Sequence, residues 1–193
     1  MSAHRSAPVL LVCLLLSGCG ATSAPVGTST PDDLAHARAV ALVTQMRDAG
    51  LPVRDVVVCT PPAPAPSDHP RPPAVAFDDA RVSTGVDRHV VREGGVVEVH
   101  ASAAHARTRV RQLDDQTLAA QALGFDEGGQ PLHAERRFRV GAVLLRLSGA
   151  LPARVQRTYA AELAQAATAG PVPSLLDSPL ELLDGTKEAP CST

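Results

Sequence analysis

The sequence predicts a single α+β domain, with a mainly antiparallel sheet and helices packed on one face, after a cleaved signal peptide. Two patterns carry this prediction. Apolar residues recur at helical spacing in three segments, and between these segments they alternate with polar residues as they do in half-buried strands. The 193 residues, 45% of them hydrophobic, are enough for one hydrophobic core. A ferredoxin-like arrangement is one variant that fits the order of the elements.

The first helix is predicted over residues 31–49. Thr30 is suited to cap it, Pro31 is suited to its first position, and the acids that follow suit the positive end of the helix dipole. Gly50 and Pro52 end the pattern. The apolar residues at helical spacing are Ala35, Ala39, Leu42, Val43 and Met46.

A short strand and a proline-rich loop are expected next. Residues 53–59 are rich in valine, which favours a strand, whereas residues 60–73 contain seven prolines, which cannot continue a hydrogen-bonded ladder. We expect this loop to be extended and exposed. A polyproline segment could bind a partner, but a simple loop insertion is the favoured interpretation.

Alternation from Ala74 onward predicts two or three antiparallel strands. The first carries Val75 and Phe77 on one side, and a second is expected over residues 86–91. The Glu-Gly-Gly sequence at residues 93–95 predicts a turn. Beyond it, one face of a further strand holds Val97, Val99 and Ala101.

The second helix is expected to begin after Ser102, whose side chain is suited to cap it, and to end between Asp115 and Gly124. Its apolar face holds Ala103, Ala106, Val110 and Leu113. The charged residues expected largely outside that face are Arg107, Arg109, Arg111, Asp114 and Asp115.

The clearest strand signal is a hairpin over residues 136–140 and 142–148 that turns near Gly141. Its apolar side consists of Phe138, Val140, Val143, Leu145 and Leu147, and these alternate with Arg137, Arg139 and Arg146. This alternation predicts that the apolar side packs inward and that the arginine side meets water.

A last helix is predicted from Pro152 to the Gly170-Pro171 pair. Its apolar residues at near-regular spacing are Leu151, Val155, Tyr159, Leu163 and Ala166. The α+β domain is therefore assigned to residues 31–170, and residues 171–193 are expected to form a mostly irregular tail.

The N-terminal segment has the layout of a signal peptide. His4 and Arg5 precede an apolar run of about nine residues, less than half of the roughly 20 that a membrane-spanning helix needs. The run leads into Leu-Ser-Gly-Cys at residues 16–19, which resembles the lipobox of bacterial lipoproteins. In such a sequence a branched apolar residue and two small residues precede the cysteine that is lipidated.

The lipobox resemblance implies a defined maturation. Residues 1–18 would be removed, the Cys19 thiol would receive a diacylglyceryl group, and its new α-amino group would receive an acyl chain. Because one acyl chain binds a membrane only marginally, several chains would make the attachment stable. The implied location is the extracytoplasmic face of the cell membrane, with residues 19–30 as a flexible tether. An ordinary signal peptide with an incidental cysteine, or a retained transmembrane segment, is less favoured.

A second resemblance covers roughly residues 95–165. Val97-Glu98-Val99 leading into a helix, the strand over residues 141–148 and the helix that contains Tyr159 are similar to short, uncharacterised lipoproteins of actinobacteria. This resemblance implies a fold and no activity.

Three cysteines follow the predicted signal peptide. If Cys19 is lipidated, Cys59 and Cys191 are free to pair, and a disulfide would persist outside the membrane. Sequence separation cannot show that the two lie close together, so their pairing stays open. A catalytic role for Cys59 would need a nearby histidine, and no local motif indicates one.

Histidines and acids give no strong site. His100 and His105 flank a strand-to-helix junction and His89 could lie on a neighbouring strand, but they lack fixed metal-ligand spacing. Scattered surface histidines are therefore favoured, and no metal or other cofactor is predicted. The acidic pairs at residues 78–79 and 114–115 should diverge in a strand or a helix, so capping or solvated roles are expected rather than a catalytic dyad.

Composition narrows the function. The basic and acidic residues are interspersed and give a net charge of −2, which disfavours nucleic acid as a partner. Only 2% of residues are aromatic, which disfavours binding of carbohydrate or single-stranded nucleic acid by stacking. The sequence lacks a phosphate-binding glycine loop and a nucleophile elbow. We expect a non-enzymatic module that binds or supports another envelope protein or a small ligand. An envelope enzyme with a dispersed site and a lipid or small-ligand carrier are the alternatives.

Overall fold

The computed structural model describes residues 30–60, 71–83, 91–123, 135–169 and 187–191. In these residues six strands form one sheet, and three α-helices pack on it. The predicted class, a single α+β domain with a mainly antiparallel sheet, is confirmed.

The sheet has the strand order β4-β5-β3-β2-β1-β6. Its strands are β1 (Val53–Thr60), β2 (Ala74–Asp79), β3 (Gly94–Val99), β4 (Arg136–Val140), β5 (Val143–Leu147) and β6 (Lys187–Pro190). Neighbouring strands are antiparallel except β1 and β6, which run parallel. Gly141, with φ of +57°, makes the tight turn between β4 and β5.

The helices are α1 (Pro31–Asp48), α2 (Ala103–Leu123) and α3 (Ala153–Thr168). At the start of α1 the Thr30 hydroxyl accepts a hydrogen bond from the Asp33 N–H (3.2 Å), and the Asp33 carboxylate accepts one from the Thr30 N–H (2.8 Å). The latter bond lowers the pKa of Asp33. The Ser102 hydroxyl accepts from the His105 N–H (3.2 Å) before α2. Both predicted caps are confirmed.

The main core lies between one face of the sheet and the helices α1 and α3. Its buried residues are Ala39, Val40, Leu42, Val43, Met46, Leu51, Val53, Val58, Val75, Phe77, Val97, Val99, Val143, Leu145, Leu147, Leu151, Tyr159 and Leu163. These include most of the apolar positions that periodicity selects in the two helices and in the hairpin. Periodicity therefore predicted this face of the molecule well.

The turn predicted at residues 93–95 is wrong, because Gly94 and Gly95 begin the central strand β3. A Cβ atom on Gly95 would lie 2.6 Å from Cζ of Phe77 and 2.8 Å from the Arg146 carbonyl oxygen. The glycines are there because neighbouring groups occupy the space of a side chain, and not because the chain turns.

Two other segments differ from prediction. Of the strand expected over residues 86–91, residues 86–90 lie outside the described residues, and Val91 begins a short 3-10 helix that ends at Glu93. The tail over 171–193 is not wholly irregular, because residues 187–190 form β6 beside β1. The Pro-rich stretch 61–70 also lies outside the described residues.

The remaining helix, α2, covers the opposite face of the sheet. Leu145 on β5 points into the main core, so its neighbour Arg146 points to the other side, where it meets Glu98. Helix α2 contacts β4 and β5 and reaches Glu98 through Arg109. Helices thus lie on both faces, with α1 and α3 on the apolar one and α2 on the other, whereas the sequence predicted all of them on one face.

Candidate functional site

The face of the sheet beneath α2 carries charged side chains at neighbouring strand positions. Val96 of β3 lies opposite Arg146 of β5, and Glu98 lies opposite Leu144, so all four side chains share this face. The charged residues on this face form ion pairs with one another and with residues of α2, and we call the set the ionic cluster. It consists of Glu98, Arg109, Asp114, Glu135, Arg137 and Arg146.

Arg146 is at the centre of the ionic cluster. Its Nη1 donates to Oε1 of Glu98 at 3.0 Å, and its Nη2 donates to Oε2 of Glu135 at 2.8 Å. The exposed fraction is 4% for Arg146 and 1% for Glu98. One buried guanidinium therefore joins β3 to the residue that precedes β4, across β5 between them.

Arg137 of β4 connects the cluster to α2. Its Nη2 donates to Oγ1 of Thr117 at 2.6 Å and to the Leu113 carbonyl oxygen at 3.1 Å. The same guanidinium forms ion pairs with Asp114 on the helix and Glu135 beside the strand. The helix is thus held to the sheet by directed polar contacts as well as by the burial of Leu113.

Two carboxylates of the cluster, those of Glu98 and Glu135, are held in the ionised form. Burial raises the pKa of Glu98, but contact with His100 and the charges of Arg146 and Arg109 outweigh burial and lower the pKa to about 2. Burial likewise opposes ionisation of Glu135, and Arg146 outweighs it, so this pKa is also lowered. Glu98 and Glu135 are therefore charged at neutral pH beside the Arg146 guanidinium, whose own pKa is raised by the two carboxylates.

The exposure predicted for the arginines of the cluster was wrong. Arg109 and Arg146 were expected in water, but Arg109 bonds Glu98 at 3.2 Å and Arg146 is buried. The arginine side of the hairpin packs against α2, and the opposite charges arrive from β3 and from residue 135. Their mutual pairing indicates a role in holding the fold.

The histidines are not brought together. His100 is nearly buried, with Nε2 3.2 Å from Oε2 of Glu98 but without the alignment of a hydrogen bond, so its predicted surface position was wrong. His105 is exposed, and its Nδ1 lies 3.1 Å from the Ser102 hydroxyl. His89 lies outside the described residues. Within the described ranges, no three potential ligands are grouped for a metal ion.

A second buried carboxylate lies at the end of β2. Asp79 is fully buried, and its carboxylate accepts hydrogen bonds from the Tyr159 hydroxyl (2.7 Å) and from Arg81 Nη2 (2.6 Å). Burial acts to raise the pKa of Asp79, but the Arg81 and Tyr159 bonds outweigh it and lower the pKa. Burial and the bond to Asp79 raise the pKa of Tyr159. The solvated role predicted for the 78–79 pair was therefore wrong, and Asp79 ties α3 to β2.

The cysteines that the sequence left open form a disulfide. Cys59 in β1 and Cys191, just after β6, have their Cα atoms 5.2 Å apart and are joined by an S–S bond, although 132 residues separate them in sequence. Both cysteines are buried. Cys19, the predicted lipidation site, lies outside the described residues.

Sequence reasoning missed the ionic cluster, although one signal was present. Glu98 interrupts a run of valines and Arg146 interrupts a run of leucines, so each charge stands in a strand that is apolar on both sides. A charge in such a strand is rarely left unpaired when it is buried. This signal could have indicated burial, but it could not have identified the partners.

Comparison of the chain with known proteins identifies no relative that could assign a role to these residues. No family model, curated protein or solved structure matches the chain. Among the described residues, no helix has the length and apolar character that crossing a membrane requires.

Proposed function

We propose that this protein is a lipid-anchored extracytoplasmic domain, attached to the cell membrane through diacylglyceryl and N-acyl groups on Cys19. We further propose that the domain is not an enzyme and that it binds or supports another component of the cell envelope. The observation that carries the location is the Leu-Ser-Gly-Cys sequence at residues 16–19, at the end of a short apolar run.

The disulfide supports an extracytoplasmic location independently. Disulfides between buried cysteines persist in oxidising compartments and are rare in the reducing cytosol. Cys59 and Cys191 are paired in the folded domain. Export would therefore place the chain where this bond is stable.

The pairing of the buried carboxylates with arginine and tyrosine side chains supports a non-catalytic role. Glu98 and Glu135 are each bonded to Arg146, and Asp79 is bonded to Arg81 and Tyr159. A general base or acid needs a pKa near the working pH, whereas these carboxylates have lowered pKa values. The groups stabilise the domain, which leaves its outer surface for binding.

The anchor is tested with a matched pair of cysteine variants, Cys19→Ala and Cys13→Ala. Both remove a cysteine from the N-terminal segment, Cys13 from within the apolar run and Cys19 from the position after it, but only Cys19 occupies the lipidation position. We expect the wild type and Cys13→Ala to partition into detergent, with residues 1–18 removed and acyl mass added. We expect Cys19→Ala to lack the acyl mass. The measurements are detergent phase partitioning and intact mass.

Two results would contradict the proposal. One is a wild-type chain that appears in the medium without acyl mass. The other is a Cys19→Ala variant that partitions into detergent with the same mass gain as the wild type. Either result would make the protein a diffusible domain or place its anchor elsewhere.

A further inference from the structure

We propose that β6 is an oxidation-dependent strand, which pairs with β1 while the Cys59–Cys191 disulfide is closed and separates from it on reduction. The separation would turn β1 from an interior strand into an edge strand. This inference goes beyond the proposed anchor and does not require lipidation of Cys19.

The geometry of β6 is the first argument. The strand has only four residues and lies at the outer edge of the sheet, with β1 as its sole neighbouring strand in the described part of the chain. Its register pairs Val57 with Lys187 and Thr60 with Pro190. A proline lacks the backbone N–H that a ladder uses, so the ladder is short even for an edge strand.

Side-chain burial is the second argument. Lys187 and Glu188 are exposed, whereas Cys191 at the end of the strand is buried. The strand therefore gains little apolar burial from its first two residues, while ordering each residue costs conformational entropy. The covalent link offsets this cost by keeping the segment at high effective concentration, because Cys191 is held beside β1 whether or not the ladder is formed.

Once β6 has separated, the edge of β1 would be suited to pair with another strand. Residues 56–58 of β1 are three consecutive valines, and β-branched residues at an open edge favour pairing with another strand. In the closed state β6 occupies that edge. The disulfide would therefore decide whether the edge of β1 is available.

The redox step is thiol–disulfide exchange with a dithiol. One thiolate of the dithiol attacks a sulfur of the Cys59–Cys191 bond, which breaks and forms a mixed disulfide. The second thiol then closes the reagent's own disulfide. Two electrons and two protons pass to the protein, which is left with two thiols.

The proposal is tested by cleavage at Lys187, which is the only lysine in the chain. A lysine-specific protease can therefore cut only there, and the cut separates residues 188–193 from the rest of the backbone; in the oxidised protein the Cys59–Cys191 disulfide still holds this peptide until it is reduced. We expect the oxidised wild type to be cut slowly and the Cys59→Ser/Cys191→Ser variant at least about ten times faster, because cleavage follows the population of the open strand. Cut and uncut chains are separated by mass after reduction.

The matched control is Val143→Ala, which weakens the main core on the far side of the sheet and keeps the disulfide. We expect it to be cut as slowly as the wild type. A second measurement reduces the wild type with a phosphine and follows cleavage together with circular dichroism. We expect fast cleavage with the folded spectrum retained.

Three results would overturn the proposal. One is equal cleavage of the wild type and the double cysteine variant. Another is a Val143→Ala chain that is cut as fast as the double cysteine variant, which would assign cleavage to global unfolding. The last is loss of the folded spectrum both in the double cysteine variant and in the reduced wild type, because the rest of the domain must stay folded when β6 leaves.

Discussion

The two faces of the sheet are stabilised by different physical means. The face beneath α1 and α3 is filled by valines, leucines, Phe77 and Tyr159. The face beneath α2 buries Leu144 and Val96, but it also buries Glu98 and Arg146. Apolar burial is non-directional and scales roughly with the area buried, whereas a buried charge is tolerated only with its partner in place.

The comparison separates what each face requires from its residues. On the apolar face one aliphatic side chain can replace another of similar volume at modest cost. In the ionic cluster, the loss of one group leaves the remaining charges buried and uncompensated. The apolar face should therefore respond to volume, and the ionic cluster should respond to pairing.

The largest expected effect comes from breaking the cluster at its centre. Arg146→Met should lower the free energy of unfolding by about 3–5 kcal/mol, because Glu98 stays buried and loses the guanidinium that bonds it at 3.0 Å. Adding Glu98→Leu should restore part of this loss, because no unpaired carboxylate then remains between the strands. Urea unfolding of the single and double variants measures both values.

The matched pair on the apolar face is Val97 and Leu145, which lie opposite each other on the same two strands. Leu145→Ala should cost about 2–5 kcal/mol through lost burial and the cavity left behind. Adding Val97→Ala should increase the loss further. If the second substitution rescues neither face, or rescues both, the distinction between pairing and packing fails.

Acid should distinguish the two faces with a somewhat smaller effect. The folded pKa of Glu98, about 2, lies below its usual 4.5, so the stability that it contributes is present above pH 4.5 and is lost as the pH falls toward 2. The difference in unfolding free energy between the wild type and Glu98→Gln should therefore narrow by up to about 3 kcal/mol over this range.

The control for the acid series is Leu145→Ala, which removes no ionisable group. Its difference from the wild type should stay constant between pH 5 and pH 2, as measured by urea unfolding at each pH. A constant difference for Glu98→Gln as well would mean that the neighbours of Glu98 do not lower its pKa in the folded protein.

The sequence predicted the apolar face because its information is local. The helical spacing of Leu42 and Met46 and the alternation of Val143, Leu145 and Leu147 each appear within a few residues. The starts of the three helices and the ends of α1 and α3 followed from caps and breakers such as Thr30, whereas the end of α2 was left open over several residues. Repeating apolar patterns are tied to one geometry, so they can be used without knowing the partners.

The ionic cluster and β6 could not be predicted in this way. Arg146 meets Glu98, 48 residues away, and Cys191 meets Cys59, 132 residues away. Alternation placed Arg146 opposite the apolar core, but only the position of α2 makes that second face an interior. The prediction at Gly94 was wrong because a glycine that is required by a close neighbour cannot be distinguished in the sequence from a glycine that makes a turn.

The smallest expected effect tests whether the helices themselves differ. Thr30 caps α1 on the apolar face and Ser102 caps α2 over the ionic cluster, and each hydroxyl accepts one backbone N–H at 3.2 Å. Thr30→Ala and Ser102→Ala should each cost about 1 kcal/mol in urea unfolding, because the bond that is lost is local. Equal losses of unfolding free energy would mean that the two faces differ in their tertiary contacts and not in the stability of their helices. A cost for Ser102→Ala several times that for Thr30→Ala would mean instead that α2 depends on its own helical stability to remain on the sheet.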